Sequence, residues 1–223
     1  MGEKNMMRVM ICDGNLYIRE GIKQILEKSK EFDIVGETAC PAASLQGLHE
    51  LQPDVCIMDT AIGGYPGLAF IREARRRAAH IPLVAMSQCH ERDFALRALR
   101  AGATGYLPKD CTEKQLAEAV RTVAKRRPYV SSTMCELIVE SINDGRPQRQ
   151  HDKLSDTDFD IFCLMAEGIP ASTIAEICRL SVASIRARKG RIMQQMAMHT
   201  EADVVEYAMK RKLIAHPFPV IHA

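Results

Sequence analysis

The chain has 223 residues, enough for one large or two small domains, and its hydrophobic fraction of 47% excludes a chain too polar to build a core. A formal net charge of +2 excludes a general electrostatic attraction to nucleic acid, so any such attraction has to be local. No run approaches the roughly 18 apolar residues that cross a bilayer. The start, Met1 to Met6, lacks an apolar signal core, and Met6 stands where a myristoylation motif wants Ser or Thr. A cytoplasmic protein with no membrane partner is expected. The eight cysteines are scattered, with no CxxC pair and no His at a zinc-ligand offset. In a reducing compartment they act as small apolar residues. Cys12 and Cys56 fall at matching places in two strands expected to be neighbours, which leaves a redox role open.

In chain order, residues 8–13 form an apolar run that ends in Asp13. A helix follows, with Ile18, Ile22, Ile25 and Leu26 on one stripe. Phe32 to Gly36 is a short strand, and Ala42 to Leu51 a helix stopped by Gln52-Pro53. Val55 to Met58 is apolar on both sides, as in a strand buried on two faces, and it ends in Asp59. Ile62 to Gly67 is a turn-rich loop, and Leu68 to Arg77 a helix with a basic end. Ile81 to Ser87 is a strand ending in a hydroxyl, and His90 to Ala101 a helix. Thr104 to Lys109 is a strand ending in an ammonium group. Thr112 to Lys125 is a helix capped by Thr112, with Leu116, Ala119, Val120 and Val123 on its buried face.

Five βα units in succession predict an α/β doubly wound, five-stranded parallel sheet with helices on both faces. All strand carboxyl ends then share one edge, where such sheets place their chemistry. Taken singly, Asp59 can also be read as a turn or cap residue, and each of the four as a solvated loop residue. Together, Asp13, Asp59, Ser87 and Lys109 are chemically complementary. A carboxylate can attack a phosphoryl group and form an acyl phosphate. The charge on the transferring phosphoryl needs donors and cations around it. Lys109 supplies a point charge, Ser87 a hydroxyl, and Asp13 a carboxylate for Mg²⁺.

Residues 7–126 resemble the receiver domain of bacterial two-component response regulators, which has a flavodoxin-like fold. The matching stretches are Arg19-Glu-Gly21, Leu51 to Val55, Met58-Asp59, Ser87, Leu99 to Tyr106 and Lys109-Asp110, in wording similar to the NarL/FixJ subfamily. The resemblance implies that Asp59 is the phosphoacceptor. It also implies that Asp13, Asp59 and the Ala61 backbone carbonyl serve a Mg²⁺ site, that Ser87 and Lys109 bind the phosphoryl group, and that Tyr106 is the aromatic switch residue. One departure weakens the metal site: where the family has two adjacent acids, this chain has Asp13-Gly14. Gly63 replaces the usual Pro and Pro66 the usual acid in the loop after Asp59, which suggests an altered loop shape.

Residues 127–152 read as a linker, with a helix over 131–142 and a polar, turn-rich tether over 143–152. Residues 153–214 read as a second, all-α domain of four short helices. Ser155 caps the first, with Asp156, Asp158 and Asp160 near its positive end. Ala171 to Arg179, a tight turn at Leu180-Ser181, and Val182 to Met196 form a helix-turn-helix pattern. Thr200 to about Arg211 is the fourth helix.

Acidic and basic residues balance across this domain, but residues 179–191 carry Arg179, Arg186, Arg188, Lys189 and Arg191 with no acid. That is either a solvated basic face or a phosphate-contacting one. On a helical wheel Ile185, Ile192 and Met196 point inward, with Ala183, Ala187, Gly190 and Gln194 opposite. A groove-facing surface of Ser184, Ala187 and Gly190 is then small, flanked by Arg186 and Arg191. Gly190 suits close packing on DNA, and Lys189, whose stem lies nearer the core, completes the expected DNA-contacting set of Ser184, Arg186, Ala187, Lys189, Gly190 and Arg191.

The domain resembles the LuxR-type DNA-binding domain that completes the NarL/FixJ family. Matching stretches are Leu154-Ser155, Ala166 to Gly168, Ile174-Ala175, Leu180-Ser181, Ser184-Ile185, Ile192, Glu206 to Ala208 and Leu213-Ile214. Arg188, Gly190 and Gln195 depart from it, so the DNA sequence read does not transfer. Residues 215–223 form a tail with no matching pattern. The combined resemblance implies a DNA-binding transcription regulator, not an enzyme, switched by phosphorylation of Asp59 by a sensor histidine kinase. It would pair as a homodimer through the receiver or through Val204, Val205, Ala208 and Met209 of the last helix. Gly14 motivates an alternative regulator that ignores phosphate. The altered recognition helix motivates another, a protein-binding adaptor or phosphate sink without DNA binding.

Overall fold

The computed structural model describes residues 6–62, 65–88, 91–142 and 149–214. The five strands are β1 (Met7–Cys12), β2 (Phe32–Thr38), β3 (Val55–Asp59), β4 (Leu83–Ser87) and β5 (Gly105–Pro108). They pair in parallel in the order β2-β1-β3-β4-β5. The chain therefore reverses direction across the sheet after β2, and β1 and β3 are neighbours. That places Asp13 and Asp59 side by side at the carboxyl edge.

The helices α1 (Leu16–Glu27), α2 (Pro41–Leu51), α3 (Gly67–Arg77), α4 (Glu91–Ala101) and α5 (Glu113–Ala124) alternate with the strands. Alternation along each strand sorts the core. Val9, Ile11, Val55, Ile57, Val84, Met86 and Leu107 face one way, against the apolar stripes of α1 and α5. Met10, Cys12, Cys56, Met58, Ala85 and Tyr106 face the other, against α2, α3 and α4. Thr112 caps α5, as the sequence leads one to expect, and Gln115 completes a reciprocal capping box. Gly67 opens α3 directly behind the acidic edge, where any Cβ would run into the carbonyl of Thr60.

Helix α6 (Ser132–Ile142) lies on α4 and buries Met134 completely. Of the expected tether, residues 143–148 lie outside the described residues. Residues 149–152 are not a loose tether: Gln150–Lys153 form a 3-10 turn whose His151 is fully buried and meets the Tyr207 hydroxyl at 2.8 Å. The expected tail over 215–223 also lies outside the described residues, as do Gly63 and His90.

The second domain contains α7 (Asp156–Ala166), α8 (Ala171–Cys178), α9 (Val182–Gln195) and α10 (Glu201–Lys210). Ser155, Ser181 and Thr200 cap α7, α9 and α10 with their hydroxyls. Its core of Phe159, Phe162, Ile174, Ile185 and Ile192 is continuous with the α2–α4 side of the receiver core. The two domains are thus docked, α7 against α3 and α4.

Candidate functional site

β1 and β3 end in carboxylates, β4 in Ser87, and Lys109 follows β5, so all four groups meet at one edge. Asp13, Asp59 and Ser87 are buried there. The Lys109 ammonium lies between the two acids, Nζ at 2.7 Å from Asp13 and 3.0 Å from Asp59. The Asn15 amide donates to Asp13 Oδ1 at 2.8 Å, and the Ala61 amide donates to Asp59 Oδ1 at 3.1 Å. Burial lifts the Asp59 carboxyl above its usual range, Lys109 pulls against that lift, and Asp13 adds to it. The edge therefore holds two buried carboxylates, a cation bridging them and a buried hydroxyl at the end of the next strand.

Gly14 is exposed and contributes no third acid. Among the described residues no cluster of three or more His, Cys, Asp or Glu is placed to hold a metal. Two carboxylates and a carbonyl still match the few protein ligands that a hydrated Mg²⁺ uses. Lys109 draws on the same carboxylate oxygens, so a dication and this ammonium compete for them.

Tyr106 is fully buried on β5, its ring 6.3 Å from that of Phe94 on α4. Phe94 in turn lies 6.2 Å from Phe159 of α7, so an aromatic row runs from the receiver into the second domain. Around it the domains are joined by charge. Arg97 of α4 is 8% exposed and donates to the carbonyls of His151 (2.8 Å) and Leu154 (3.1 Å) and to Asp156 (2.9 Å). Its guanidinium also sits 4.4 Å over the Phe159 ring. Asp160 accepts from the Leu68 and Ala69 amides at the start of α3, at 3.2 and 3.0 Å, and pairs with Arg72 at 3.3 Å. Burial outweighs these donors and lifts the Asp160 carboxyl to about 7. Glu167, just after α7, is also lifted to about 7, by burial first and then by the charge of Asp59. The second domain therefore meets α3 where that helix begins, just past Thr60 of the acidic edge.

On α9 the wheel holds: Ile185, Ile192 and Met196 are buried, while Ala183, Ser184, Arg186, Ala187, Gly190, Arg191 and Gln194 are exposed. Docking to the receiver leaves this face open. Lys189 is not on it. Its ammonium is turned to Glu201 of α10 at 2.8 Å, away from the open face that carries the rest of the expected DNA-contacting set. The expected dimer contact also needs correction. Val204 and Ala208 are buried inside their own domain, where α10 packs on α7, and cannot reach a second copy. Half-buried Val205 and exposed Met209 lie on the outer side.

Cys12 and Cys56 do meet, Sγ to Sγ at 3.6 Å, fully buried. The register sets them diagonally, Cys12 opposite Met58 and Cys56 opposite Met10. They fill the sheet's interior as small apolar groups.

A doubly wound receiver with an acid–lysine edge, docked to a helix-turn-helix domain, is the architecture of a DNA-binding response regulator. Comparison with known proteins agrees. Residues 9–121 match the family described as response regulator receiver domain, and residues 152–208 match the bacterial regulatory proteins of the luxR family. The chain belongs to the response regulators, with a LuxR-type DNA-binding domain: it is a DNA-binding transcriptional regulator of the two-component class. It is 29% identical over 215 residues to the oxygen regulatory protein NreC of Staphylococcus carnosus, covering 93% of this chain and 99% of that one. Among solved structures it is similar to the RcsB response regulator of Salmonella typhimurium, with TM-score 0.78 and 20% identity over 93% of this chain and 99% of that one. The signal receiver domain of the putative response regulator NarL from Mycobacterium tuberculosis matches 55% of this chain and 98% of its own, at 30% identity and TM-score 0.52. No helix among the described residues is long and apolar enough to cross a membrane.

Proposed function

We propose that the acidic edge is a phosphoacceptor site and that its state controls how the DNA-binding domain is held. The observation that carries this reading is the bridge of Lys109 between Asp13 and Asp59 at the end of two adjacent strands. An Asp59 carboxylate oxygen attacks the phosphorus of a phosphohistidine or acyl phosphate donor. The new O–P bond forms as the bond to the donor's leaving group breaks. Lys109 moves from carboxylate to phosphoryl oxygens, and Ser87 donates to another. Asp13, Asp59 and the Ala61 carbonyl would hold Mg²⁺, which supplies charge neutralisation on the phosphoryl oxygens. The phosphoryl donor is a partner histidine kinase.

The second domain is held at the start of α3, which follows the loop after Asp59, so a rearrangement of that loop on phosphorylation alters how the second domain is docked. The recognition face of α9 is already exposed when docked. The switch therefore acts on the spacing and pairing of two DNA-binding domains rather than on uncovering α9. Pairing uses the outer side of α10, at Val205 and Met209, and two such domains read half-sites about one helical turn apart or a multiple of it.

Gly14 favours a second reading, regulation without phosphate, in which Lys109 permanently bridges the two acids. Incubation with acetyl phosphate and Mg²⁺, followed by intact mass, separates the two. A phosphate-sized increment that is absent in Asp59→Asn is expected. No increment at any Mg²⁺ concentration selects the second reading.

A further inference from the structure

The cations of α9 are not all free to meet DNA, because α7 holds a carboxylate against two of them. Asp158 is the third residue of α7 after its Ser155 cap, and its side chain is 9% exposed. Arg188 Nη1 donates to Asp158 Oδ1 at 2.7 Å. Arg191 Nη2, one turn further along α9, is shared between the two oxygens at 3.2 and 3.3 Å. The Ser155 hydroxyl donates to Oδ2 at 2.8 Å. Burial works against this charge, yet Ser155 and the two arginines outweigh it and hold the carboxyl below its ordinary range.

The two arginines differ in a way that matters for DNA. Arg188 makes the short bond and its side chain is 32% exposed, whereas Arg191 makes longer bonds and its side chain is 58% exposed. Arg188 is the anchor. Arg191 lies at the edge of the open face, half held by an internal anion. A planar guanidinium takes carboxylate and phosphate oxygens with the same geometry. Asp158 therefore occupies the place on Arg191 that a DNA phosphate would take.

We propose that Asp158 is a specificity-determining residue that restrains Arg191, so that a phosphate gains this cation only by displacing an internal carboxylate. The inference rests on the DNA-binding reading of this domain. It lowers affinity for arbitrary duplex while keeping Arg191 aimed for a site that positions a phosphate or a guanine edge correctly. Arg186, on the opposite flank and exposed, has no such restraint from Asp158.

The test is fluorescence anisotropy of the full chain on a labelled random-sequence duplex over a salt series. Asp158→Asn keeps the volume and an acceptor for Ser155 but removes the charge. One more phosphate contact steepens the slope of log K against log salt by about 0.9, which makes binding about eightfold tighter at about 0.1 M salt. Asp158→Asn with Arg191→Gln is expected to return the slope to the wild-type value. A purely structural bridge would lower the melting temperature and the active fraction without moving the slope. An unchanged slope in Asp158→Asn, or a double variant as steep as Asp158→Asn, overturns the proposal. If Asp158→Asn does not fold, Arg191→Gln alone decides: a slope change well under about 0.9 is expected, and the full change overturns the restraint. Loss of salt-dependent binding in wild type and Asp158→Asn alike is a separate result, which overturns the DNA-binding reading itself.

Discussion

Replacing Arg97 by Ala tests how the two domains are held. The side chain is 10% exposed and spans from α4 to two carbonyls and one carboxylate of the second domain. Its removal strands the Leu154 carbonyl, costing about 1–3 kcal/mol when left unpaired and buried, and takes a charged donor worth about 1.5–3 kcal/mol from the His151 carbonyl, which keeps the Leu154 amide. Asp156 is about one-third exposed, so water compensates most of its loss. The contact over Phe159 adds about 1 kcal/mol. Water entering the vacated space offsets part of the total, leaving about 3 kcal/mol, or roughly a hundredfold in the docked-to-open ratio. The readout is amide hydrogen exchange at Leu68 and Ala69, whose N–H groups are held by Asp160 across the interface. Their exchange is expected to quicken by roughly a hundredfold, while amides of β3 and β4 keep their protection. Unchanged exchange at Leu68 and Ala69 would refute a latch at Arg97. Equal loss of protection in β3 and β4 would show that Arg97 holds the receiver itself together.

Docking is also expected to depend on pH through Asp160. Its docked carboxyl is lifted to about 7, above the ordinary Asp value of about 3.9 that it regains when released. The docked form thus binds the extra proton, so docking is strongest below the free value and weakens as pH rises through about 7. The facing groups are Arg72 on α3, which opposes the lift, Asp156 on α7, which adds to it, and Cys178 on α8. Asp160→Asn should flatten much of this dependence in the same exchange experiment; Glu167 keeps a share of the same sign. Gly14→Asp restores a second acid beside Asp13 and should tighten Mg²⁺ binding, read by titration calorimetry; equal affinity would show that the gap at position 14 is immaterial. Met209→Asp with Val205→Asp should dissociate dimers in sedimentation without lowering the melting temperature. Val204→Asp should instead unfold the second domain, since it buries a charge in its core.

The sheet and its acidic edge were legible because local pattern determines both. Apolar runs bounded by Asp13, Asp59, Ser87 and Lys109 mark strand ends, and parallel winding brings strand ends together whatever the rest of the chain does. The capping hydroxyls of Ser155 and Thr112 were legible for the same reason. The latch was not. Arg97 lies in a helix rich in charge and reads as a solvated residue, and Asp160 reads as an acid comfortable near a helix start. Both acquire their roles from the placement of one domain on the other, which no local period encodes. Val204 and Ala208 show the same limit. Their spacing of four marks an apolar face, but spacing alone does not say whether α7 or a second copy covers it. Lys189 reads as one of a basic run until α10 brings Glu201 beside it.

The most direct measurement of phosphate control is binding of the full chain to fragmented genomic DNA, with and without acetyl phosphate and Mg²⁺, beside Asp59→Asn. The expected result is salt-dependent binding whose midpoint or cooperativity shifts with the phosphodonor in wild type and not in Asp59→Asn. Identical curves for the two proteins, with and without donor, would contradict control through Asp59.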